Sequence, residues 1–282
     1  MSLPERPRVV ITGAGSGLGR ALSLELARRK ARVVVSDVNE TSARETARLV
    51  EEAGGEARVV PCDVTKPEQV EALARESAAA FGGLDLVVNN AGVACAGEVG
   101  KFTLADWKHV LDVNLWGVIH GCHSFVPLLR KQGSGHILNI ASAAGLISTA
   151  YMAAYNVSKS AVVSLSETLL AELKPAGIGV TVACPTFFRT NIASSARISE
   201  GDEGQRLQKM ALKLVDGASV APDVVARALV RAVENDDLYV VPMADGRWAW
   251  RLKRLAPEAF ARGTIFLQKR VFERIERKQA KA

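Results

Sequence analysis

Short runs of β-branched residues alternate with longer segments of helical periodicity along most of the chain. This alternation predicts parallel βαβ units, because consecutive parallel strands need a crossover connection that is usually a helix. We therefore expect an α/β fold, a single doubly wound domain whose parallel sheet of about seven strands is flanked by helices. The predicted strands are Arg8–Thr12, Arg32–Ser36, Ala57–Pro61, Leu84–Asn89, His136–Ser142, Gly179–Cys184 and Leu238–Val241. The predicted helices are Leu18–Lys30, Thr41–Gly54, Pro67–Phe81, Leu104–Lys131, Met152–Pro175 and Pro222–Glu234.

The positive charge of the chain is concentrated at its C-terminal end. Residues 247–282 hold eleven Lys/Arg against three Asp/Glu, whereas the preceding residues hold 25 against 27. Apolar residues at 265, 266, 272 and 275 have a spacing that suits an amphipathic helix. We therefore divide the chain into a catalytic domain over residues 1–245 and a basic amphipathic helical extension over residues 246–282. Docking of the extension on the domain or on a partner subunit is the favoured interpretation. The alternatives are attachment to a membrane surface and a handle for an acidic or phosphate-bearing substrate.

Composition excludes several classes of protein. Of the 282 residues, 48% are hydrophobic and 23% charged, and no apolar run approaches the ~20 residues that a membrane span needs. The N-terminus lacks the layout of a signal peptide, so we expect a cytoplasmic protein, with peripheral membrane contact through the extension as an option. No nucleic-acid recognition motif is present, so we expect no nucleic-acid partner. The cysteines indicate buried, reduced thiols, and the histidines form no credible metal site; these residues are Cys62, Cys95, Cys122 and Cys184, and His109, His120, His123 and His136.

A glycine-rich loop separates the first predicted strand from the first predicted helix. Its sequence, residues 12–19, is Thr-Gly-Ala-Gly-Ser-Gly-Leu-Gly. Such a loop allows a tight turn and lets backbone amides approach a pyrophosphate at a helix N-terminus. The candidate cofactor-binding residues here are Gly13, Ser16, Gly17, Leu18 and Gly19. A tight turn without a ligand is the alternative interpretation.

Asp37 ends the second predicted strand, where an acidic residue binds an adenosine ribose in dinucleotide folds. Its carboxylate can accept both ribose hydroxyls and would repel a 2′-phosphate. Ser16 offers no positive charge for such a phosphate, and the nearest basic residues, Arg20 and Arg44, are expected on helix surfaces. NAD is therefore favoured over NADP. An ordinary turn or helix cap at Asp37 is the alternative.

The next two strands end in further candidates for nucleotide contact. Asp63 and Val64 follow the third strand, where a carboxylate can accept the adenine amino group. Asn90, Ala91 and Gly92 follow the fourth strand and suit a backbone that passes close to a nucleotide. Since Asn, Asp and Gly also favour turns for conformational reasons, plain loops remain the alternative.

Tyr155 and Lys159 are the strongest candidates for catalysis. Four residues apart on a predicted helix, their side chains share one face. We expect the ammonium to favour the phenolate and to lower the tyrosine pKa, which would make Tyr155 a general acid/base. Ser142 ends the fifth strand, where its hydroxyl can reach an oxygen that also touches the tyrosine. Asn114 is a polar residue within a predicted helix. The structural alternatives are a helix-surface pair for Tyr155 and Lys159, a capping role for Ser142 and a buried, satisfied amide for Asn114.

Together these motifs resemble the short-chain dehydrogenase/reductase family. The match runs from about Val9 to Thr190, with weaker cover to about residue 240. The resemblance implies a Rossmann-type domain and a nicotinamide cofactor that exchanges a hydride with a carbinol carbon. It also implies that Tyr155 is the acid/base, that Ser142 steadies the substrate oxygen, that Lys159 lowers the tyrosine pKa and holds the nicotinamide ribose, and that Asn114 anchors a water chain.

The segment after the sixth strand departs from the family pattern. The family usually has Pro-Gly there, whereas this chain has Pro185-Thr186, so the backbone at residue 186 must tolerate a Cβ. Pro185, Phe188 and Thr190 remain candidates for contact with the nicotinamide carboxamide.

The expected substrate pocket has little charge. Its predicted segments are Gly92–Gly100, Ala143–Ala150 and Phe187–Lys213, and they favour an apolar secondary alcohol or ketone, lipid- or steroid-like in character. The resemblance also implies a homodimer or homotetramer formed through the long helices around 104–131 and 152–175. A non-catalytic dinucleotide-binding regulatory or scaffold protein is the competing hypothesis. The enzyme is favoured, because such proteins tend to lose the tyrosine or lysine that this chain retains.

Overall fold

A seven-stranded parallel sheet organises the computed structural model, which describes residues 3–190, 192 and 196–266. Its strands lie side by side in the order β3-β2-β1-β4-β6-β7-β9. Their bounds are β1 Arg8–Thr12, β2 Arg32–Ser36, β3 Glu56–Val59, β4 Leu86–Asn89, β6 Gly135–Ile140, β7 Ile178–Ala183 and β9 Tyr239–Val240. The helices are α1 Gly17–Ala27, α2 Glu40–Glu52, α3 Pro67–Phe81, α4 Leu104–Leu111, α5 Gly117–Gln132, α6 Ala153–Leu173, α7 Asp202–Asp216, α8 Pro222–Asn235 and α9 Ala244–Leu255. The predicted α/β, doubly wound fold is confirmed.

Helices cover both faces of this sheet, and alternate residues of each strand enter different cores. In β1, Val10 belongs to one hydrophobic cluster, whereas Val9 and Ile11 belong to the cluster on the opposite face. Successive side chains of a strand point to opposite faces, so a strand buried on both sides is apolar throughout. This explains why the strands are continuous β-branched runs in the sequence.

Several predicted bounds differ from the structure. The strand expected to end at Ser142 ends at Ile140, and Ser142 instead begins a 3₁₀ turn over Ala143–Gly145. The helix expected over 104–131 consists of α4, a π-helical turn over Asp112–Trp116 and α5. A π turn adds a residue without breaking the apolar periodicity, so the sequence pattern did not reveal it.

Two features above the sheet were not predicted. β5 (Cys95–Ala96) and β8 (Arg197–Ile198) form a small separate parallel pair, and α7 follows directly after β8. Both lie in segments assigned to pocket loops. Strands of two residues leave almost no pattern in a sequence.

The C-terminal extension docks on the domain as far as the structure describes it. The Tyr239 and Trp250 ring centroids are 5.0 Å apart, and the Lys253 ammonium donates a hydrogen bond to the Leu146 carbonyl at 2.8 Å. Residues 257–266 are helical, while positions 272 and 275 of the predicted amphipathic helix lie outside the described residues. The proposed domain boundary at 245 falls within α9 and stays a prediction. None of the helices in the described part of the chain has the length and apolarity needed to cross a bilayer.

Candidate active site

The carboxyl ends of β1, β4, β6 and β7 open into one cavity of about 1500 Å³. That volume exceeds the ~300–1000 Å³ of an ordinary small-molecule pocket, which leaves room for a dinucleotide and a substrate. Almost every predicted site residue lines it. These are Gly13, Ser16, Gly17, Leu18, Asp37, Asp63, Val64, Asn90, Ala91, Gly92, Ser142, Tyr155, Lys159, Pro185, Phe188 and Thr190.

The glycine loop is shaped by close backbone contacts. Gly13 and Gly17 have φ values of +62° and +51°, a region that side chains disfavour. A Cβ on Gly13 would lie 2.7 Å from the Ala91 Cα, and one on Gly19 would lie 2.3 Å from the Gly13 carbonyl oxygen. Gly19 is therefore a packing position that does not line the cavity. A Cβ at Gly13 would collide with the neighbouring loop, so the cradle fits the close backbone approach that a pyrophosphate needs.

Asn90 joins the loops after β1 and β4. Its side-chain amide donates to the carbonyls of Thr12 at 2.8 Å and Gly13 at 2.9 Å, and its backbone N–H donates to the Thr12 hydroxyl at 3.0 Å. The Asn90 side chain is thus engaged in positioning the glycine loop.

Asp37 lies at the edge of the same loop. Its Oδ2 accepts the Gly15 N–H at 2.8 Å, and its Oδ1 accepts the Asn39 N–H at 2.9 Å. Each carboxylate oxygen has a second lone pair, so the group can still accept ribose hydroxyls. Arg20 donates to the Gly15 carbonyl at 2.6 Å, and Arg44 is paired with Glu40, so both candidate phosphate ligands already have partners.

Asp63 is held in a turn after β3. Its Oδ1 accepts hydrogen bonds from the Thr65 N–H at 2.9 Å and the Thr65 hydroxyl at 2.8 Å. Asp63 and Val64 both line the cavity.

Tyr155, Ser142 and Lys159 meet where the first turn of α6 faces the end of β6. All three side chains line the cavity. The Ser142 hydroxyl also contacts the Pro185 carbonyl at 3.4 Å and accepts the Ala144 N–H at 3.2 Å. Lys159 is only 2% exposed; its ammonium donates to the Ile140 carbonyl at 2.8 Å and lies 5.8 Å from the Tyr155 ring centroid.

Burial dominates the protonation of this pair. It raises the pKa of the Tyr155 phenol, and the nearby Ser142 hydroxyl opposes this shift. Burial also lowers the pKa of Lys159 to about 8. Burial therefore sets the direction of the tyrosine shift, and the lowering of the Tyr155 pKa by Lys159 stays a prediction. The enclosure that brings the two groups together also disfavours the charge on each of them.

The sequence model of the family described as short chain dehydrogenase matches residues 7–201. This chain belongs to the short-chain dehydrogenase family. A relative named putative oxidoreductase SadH, from Mycobacterium tuberculosis, is 34% identical over 93% of this chain and 95% of its own length. A relative named probable oxidoreductase EphD, from Mycobacterium bovis, is 37% identical over 89% of this chain but only 43% of its own length. The chain is a nicotinamide-dependent oxidoreductase.

A solved structure agrees with this assignment. The crystal structure of a short-chain dehydrogenase/reductase from Burkholderia phymatum in complex with NAD has a TM-score of 0.85 and 34% identity. The match covers 90% of this chain and 95% of that protein.

In this short-chain dehydrogenase, Asn114 lies in the π turn and behind the cavity wall. It is fully buried. Its Oδ1 accepts the Val93 N–H at 2.8 Å, and its Nδ2 donates to the Val93 carbonyl at 2.9 Å and to the Ser158 hydroxyl at 3.3 Å. The amide is thus hydrogen-bonded to protein on both sides, and its role in a water chain stays a prediction.

The departure at Thr186 is accommodated at the start of α9. Thr186 is not among the described non-glycine residues with positive φ, which are Lys30, Tyr151 and Asp236. The predicted compatibility of this backbone with a Cβ is therefore confirmed. The Thr186 hydroxyl donates to Asp245 Oδ1 at 3.2 Å, at the start of α9.

Sequence reasoning missed one part of the cavity lining. Residues of α9 and of the helical segment after it also face the cavity: Asp245, Gly246 and Ala249 from α9, and Phe260, Ala261, Thr264 and Ile265 from the helical residues 257–266. The helical spacing of 260, 261, 264 and 265 was the available signal. It defines a helix face without indicating what that face covers.

Proposed function

We propose that this enzyme uses NAD to interconvert an apolar secondary alcohol and the corresponding ketone, with Tyr155 as general acid/base. The observation that carries the proposal is that Tyr155, Ser142 and Lys159 line the same cavity as the glycine loop, with the Lys159 ammonium 5.8 Å from the Tyr155 ring centroid. A substrate oxygen bound there would meet two hydroxyls, one to orient it and one to exchange its proton.

The proposed roles follow from these contacts. Ser142 holds the substrate oxygen. Tyr155, as the phenolate, takes the hydroxyl proton during alcohol oxidation, and as the phenol it returns that proton during ketone reduction. Lys159 supplies a positive charge beside the Tyr155 ring and, anchored on the Ile140 carbonyl, is positioned to hold a ribose. The nicotinamide, when bound, accepts or supplies the hydride.

The preference for NAD rests on charge. A 2′-phosphate on the adenosine ribose would face the Asp37 carboxylate, while Arg20 and Arg44 are engaged with Gly15 and Glu40. The structural relative from Burkholderia phymatum is bound to NAD, which supports the same choice.

The apolar character of the substrate rests on the cavity lining. The side chains around the catalytic group include Val93, Ile147, Met152 and Phe187. These four uncharged side chains favour a hydrocarbon body next to the reacting oxygen.

An NAD⁺ reduction screen over secondary alcohols of graded size tests this proposal together with Tyr155→Phe. The variant should lose turnover and keep NADH binding, because it removes the proton donor and little cofactor contact. Tyr239→Phe, at the far edge of the sheet, is the matched control and should keep its activity. NADH binding without turnover of any alcohol or ketone in the wild type would favour the non-catalytic alternative. Full turnover by Tyr155→Phe would refute the role of the tyrosine.

We also propose a peripheral contact between α9 and an anionic membrane surface. Trp248, Leu252 and Leu255 are exposed and share one face of α9 through their spacing. The Arg251 guanidinium lies 5.7 Å from the Trp248 ring centroid, so cationic and apolar groups occur on one face. Such a face suits the boundary between headgroups and acyl chains.

Vesicle co-sedimentation tests this contact. We expect the chain to sediment with phosphatidylserine-containing vesicles, and the Leu252→Ser/Leu255→Ser variant to sediment several-fold less. Val99→Ser, which changes an exposed residue elsewhere, is the control. Equal sedimentation of the variant, or loss of self-association in its place, would overturn the proposal.

We further propose that the functional unit is a homodimer or homotetramer.

A further inference from the structure

The C-terminal extension places one helix face against the catalytic cavity. Phe260, Ala261, Thr264 and Ile265 all line the cavity, and their spacing puts them on adjacent turns of one face. Phe260 is half-buried, whereas Ile265 is 66% exposed. The face therefore runs from within the cavity towards its rim, while Lys159 and its neighbours lie at the buried end.

This helix face is apolar, although it contains a threonine. The Thr264 hydroxyl donates to the Ala261 carbonyl at 2.8 Å, so its single donor is engaged within the helix. A ring, a methyl group, a threonine side chain and a branched aliphatic chain thus face the cavity. Such a surface favours hydrocarbon and offers no charge to a polar ligand.

Two contacts fasten the preceding helix, α9, to the loops that frame Ser142. Lys253 donates to the carbonyl of Leu146 at 2.8 Å, four residues beyond Ser142. Asp245 accepts the Thr186 hydroxyl at 3.2 Å, and Thr186 follows the proline whose carbonyl contacts Ser142. Helix α9 therefore contacts the loops on both sides of Ser142.

Gly246 adapts the extension to Thr186. A Cβ on Gly246 would lie 2.7 Å from the Thr186 Cγ2, closer than real side chains pack. The threonine that replaces the usual family glycine and the glycine at 246 are thus complementary, and together they set where α9 begins beside the cavity.

We propose that the helix face formed by Phe260, Ala261, Thr264 and Ile265 is the outer wall of the substrate cavity and selects substrates with an extended apolar body. This inference rests on the proposed function and names the substrate class more narrowly. Small alcohols occupy the buried end beside Tyr155 and do not reach the wall. A long hydrocarbon chain extends along the wall, and contact with the wall removes its apolar surface from water.

The test compares kcat/KM for 2-butanol and 2-dodecanol in the full-length chain. Phe260→Ala should lower the value for 2-dodecanol by about tenfold, the discrimination that hydrophobic pockets achieve for small changes in apolar contact. It should leave 2-butanol within about twofold. Val224→Ala is the control, because Val224 is exposed and does not line the cavity. An equal loss for both alcohols, or no loss for either, would overturn the proposal.

A second variant and a binding measurement separate this inference from the proposed function. Ala261→Phe should place a ring in the cavity beside the wall and selectively lower kcat/KM for 2-dodecanol. This variant provides the test if Phe260→Ala does not fold. Calorimetric titration of 2-dodecanone into the chain with NAD⁺ measures binding in a mixture that cannot turn over. Weaker binding by Phe260→Ala supports the wall even if the wild type oxidises no alcohol. Unchanged binding by both variants would refute it.

Discussion

Lys159 shows how strongly the fold changes a single residue. Its spacing from Tyr155 was predictable, because a helix places residues four apart on one face. The balance between charge attraction and burial was not, since it depends on the α6–β6 contact that encloses both groups. The structure places the ammonium on the Ile140 carbonyl, and burial lowers the pKa of Lys159 to about 8.

That lowered pKa predicts a pH-dependent stability. Between pH 8 and the ordinary lysine pKa of 10.5, the unfolded chain binds more protons at this residue than the folded chain does. The free energy of unfolding therefore rises with pH in this window. The difference in unfolding free energy between wild type and Lys159→Met should increase by about 1 kcal/mol from pH 8 to pH 9. Denaturant titrations measure it, and a difference that stays flat across the window would contradict the shifted pKa.

The charge of Asp37 is expected to set the preference for NAD over NADP. Asp37→Asn removes the negative charge and keeps one acceptor oxygen, so one of the two backbone contacts, with Gly15 or Asn39, is retained. We expect the ratio of kcat/KM with NAD to that with NADP to fall about tenfold, equivalent to about 1.4 kcal/mol. Asp63→Asn, also in the cavity lining, should leave the ratio unchanged. The same ratio in wild type and Asp37→Asn would exclude the ribose role.

At the scale of elements, the π turn between α4 and α5 explains why a polar residue interrupts an apolar helix. The sequence identified Asn114 as out of place and predicted a continuous helix around it. In the structure, Asn114 lies in the π turn. Its side-chain amide is hydrogen-bonded to both the N–H and the carbonyl of Val93, which explains a polar residue at this buried position. Sequence periodicity records which face is apolar, and it does not record a local change in helical pitch.

Asn114→Leu tests the contribution of this turn to stability. Leucine has a similar size but leaves the Val93 N–H and carbonyl without partners, at about 1–3 kcal/mol for a buried group. We expect the free energy of unfolding to fall by about 2–3 kcal/mol, measured by urea denaturation. Asn235→Leu makes the same chemical change at an exposed position and should cost less than about 0.5 kcal/mol. Equal losses in the two variants would show that the Val93 pairing contributes nothing specific.

For the whole molecule, the order of elements along the chain was predictable and the closing of the cavity was not. Alternating patterns identify strands and helices, and the ends of parallel strands meet at one edge. For that reason Gly13, Asp37, Ser142 and Tyr155 converge as expected. The small β5–β8 sheet and the wall formed by residues 257–266 depend on contacts between segments far apart in sequence. No local pattern encodes those contacts.

Self-association of the chain is expected through its long helices. The family resemblance implies a homodimer or homotetramer through the long helices, and Trp116 and Val157 are each 50% exposed there. Trp116 belongs to the π turn and Val157 to α6, two elements that pack against each other, so a partner subunit would cover apolar surface on both.

Light scattering should give two or four times the chain mass for the wild type. Trp116→Glu/Val157→Glu should shift the mass towards the monomer, because a buried unpaired charge is costly. Val99→Glu, at another exposed apolar site, should keep the wild-type mass. A double variant with unchanged mass would place the interface elsewhere on the molecule.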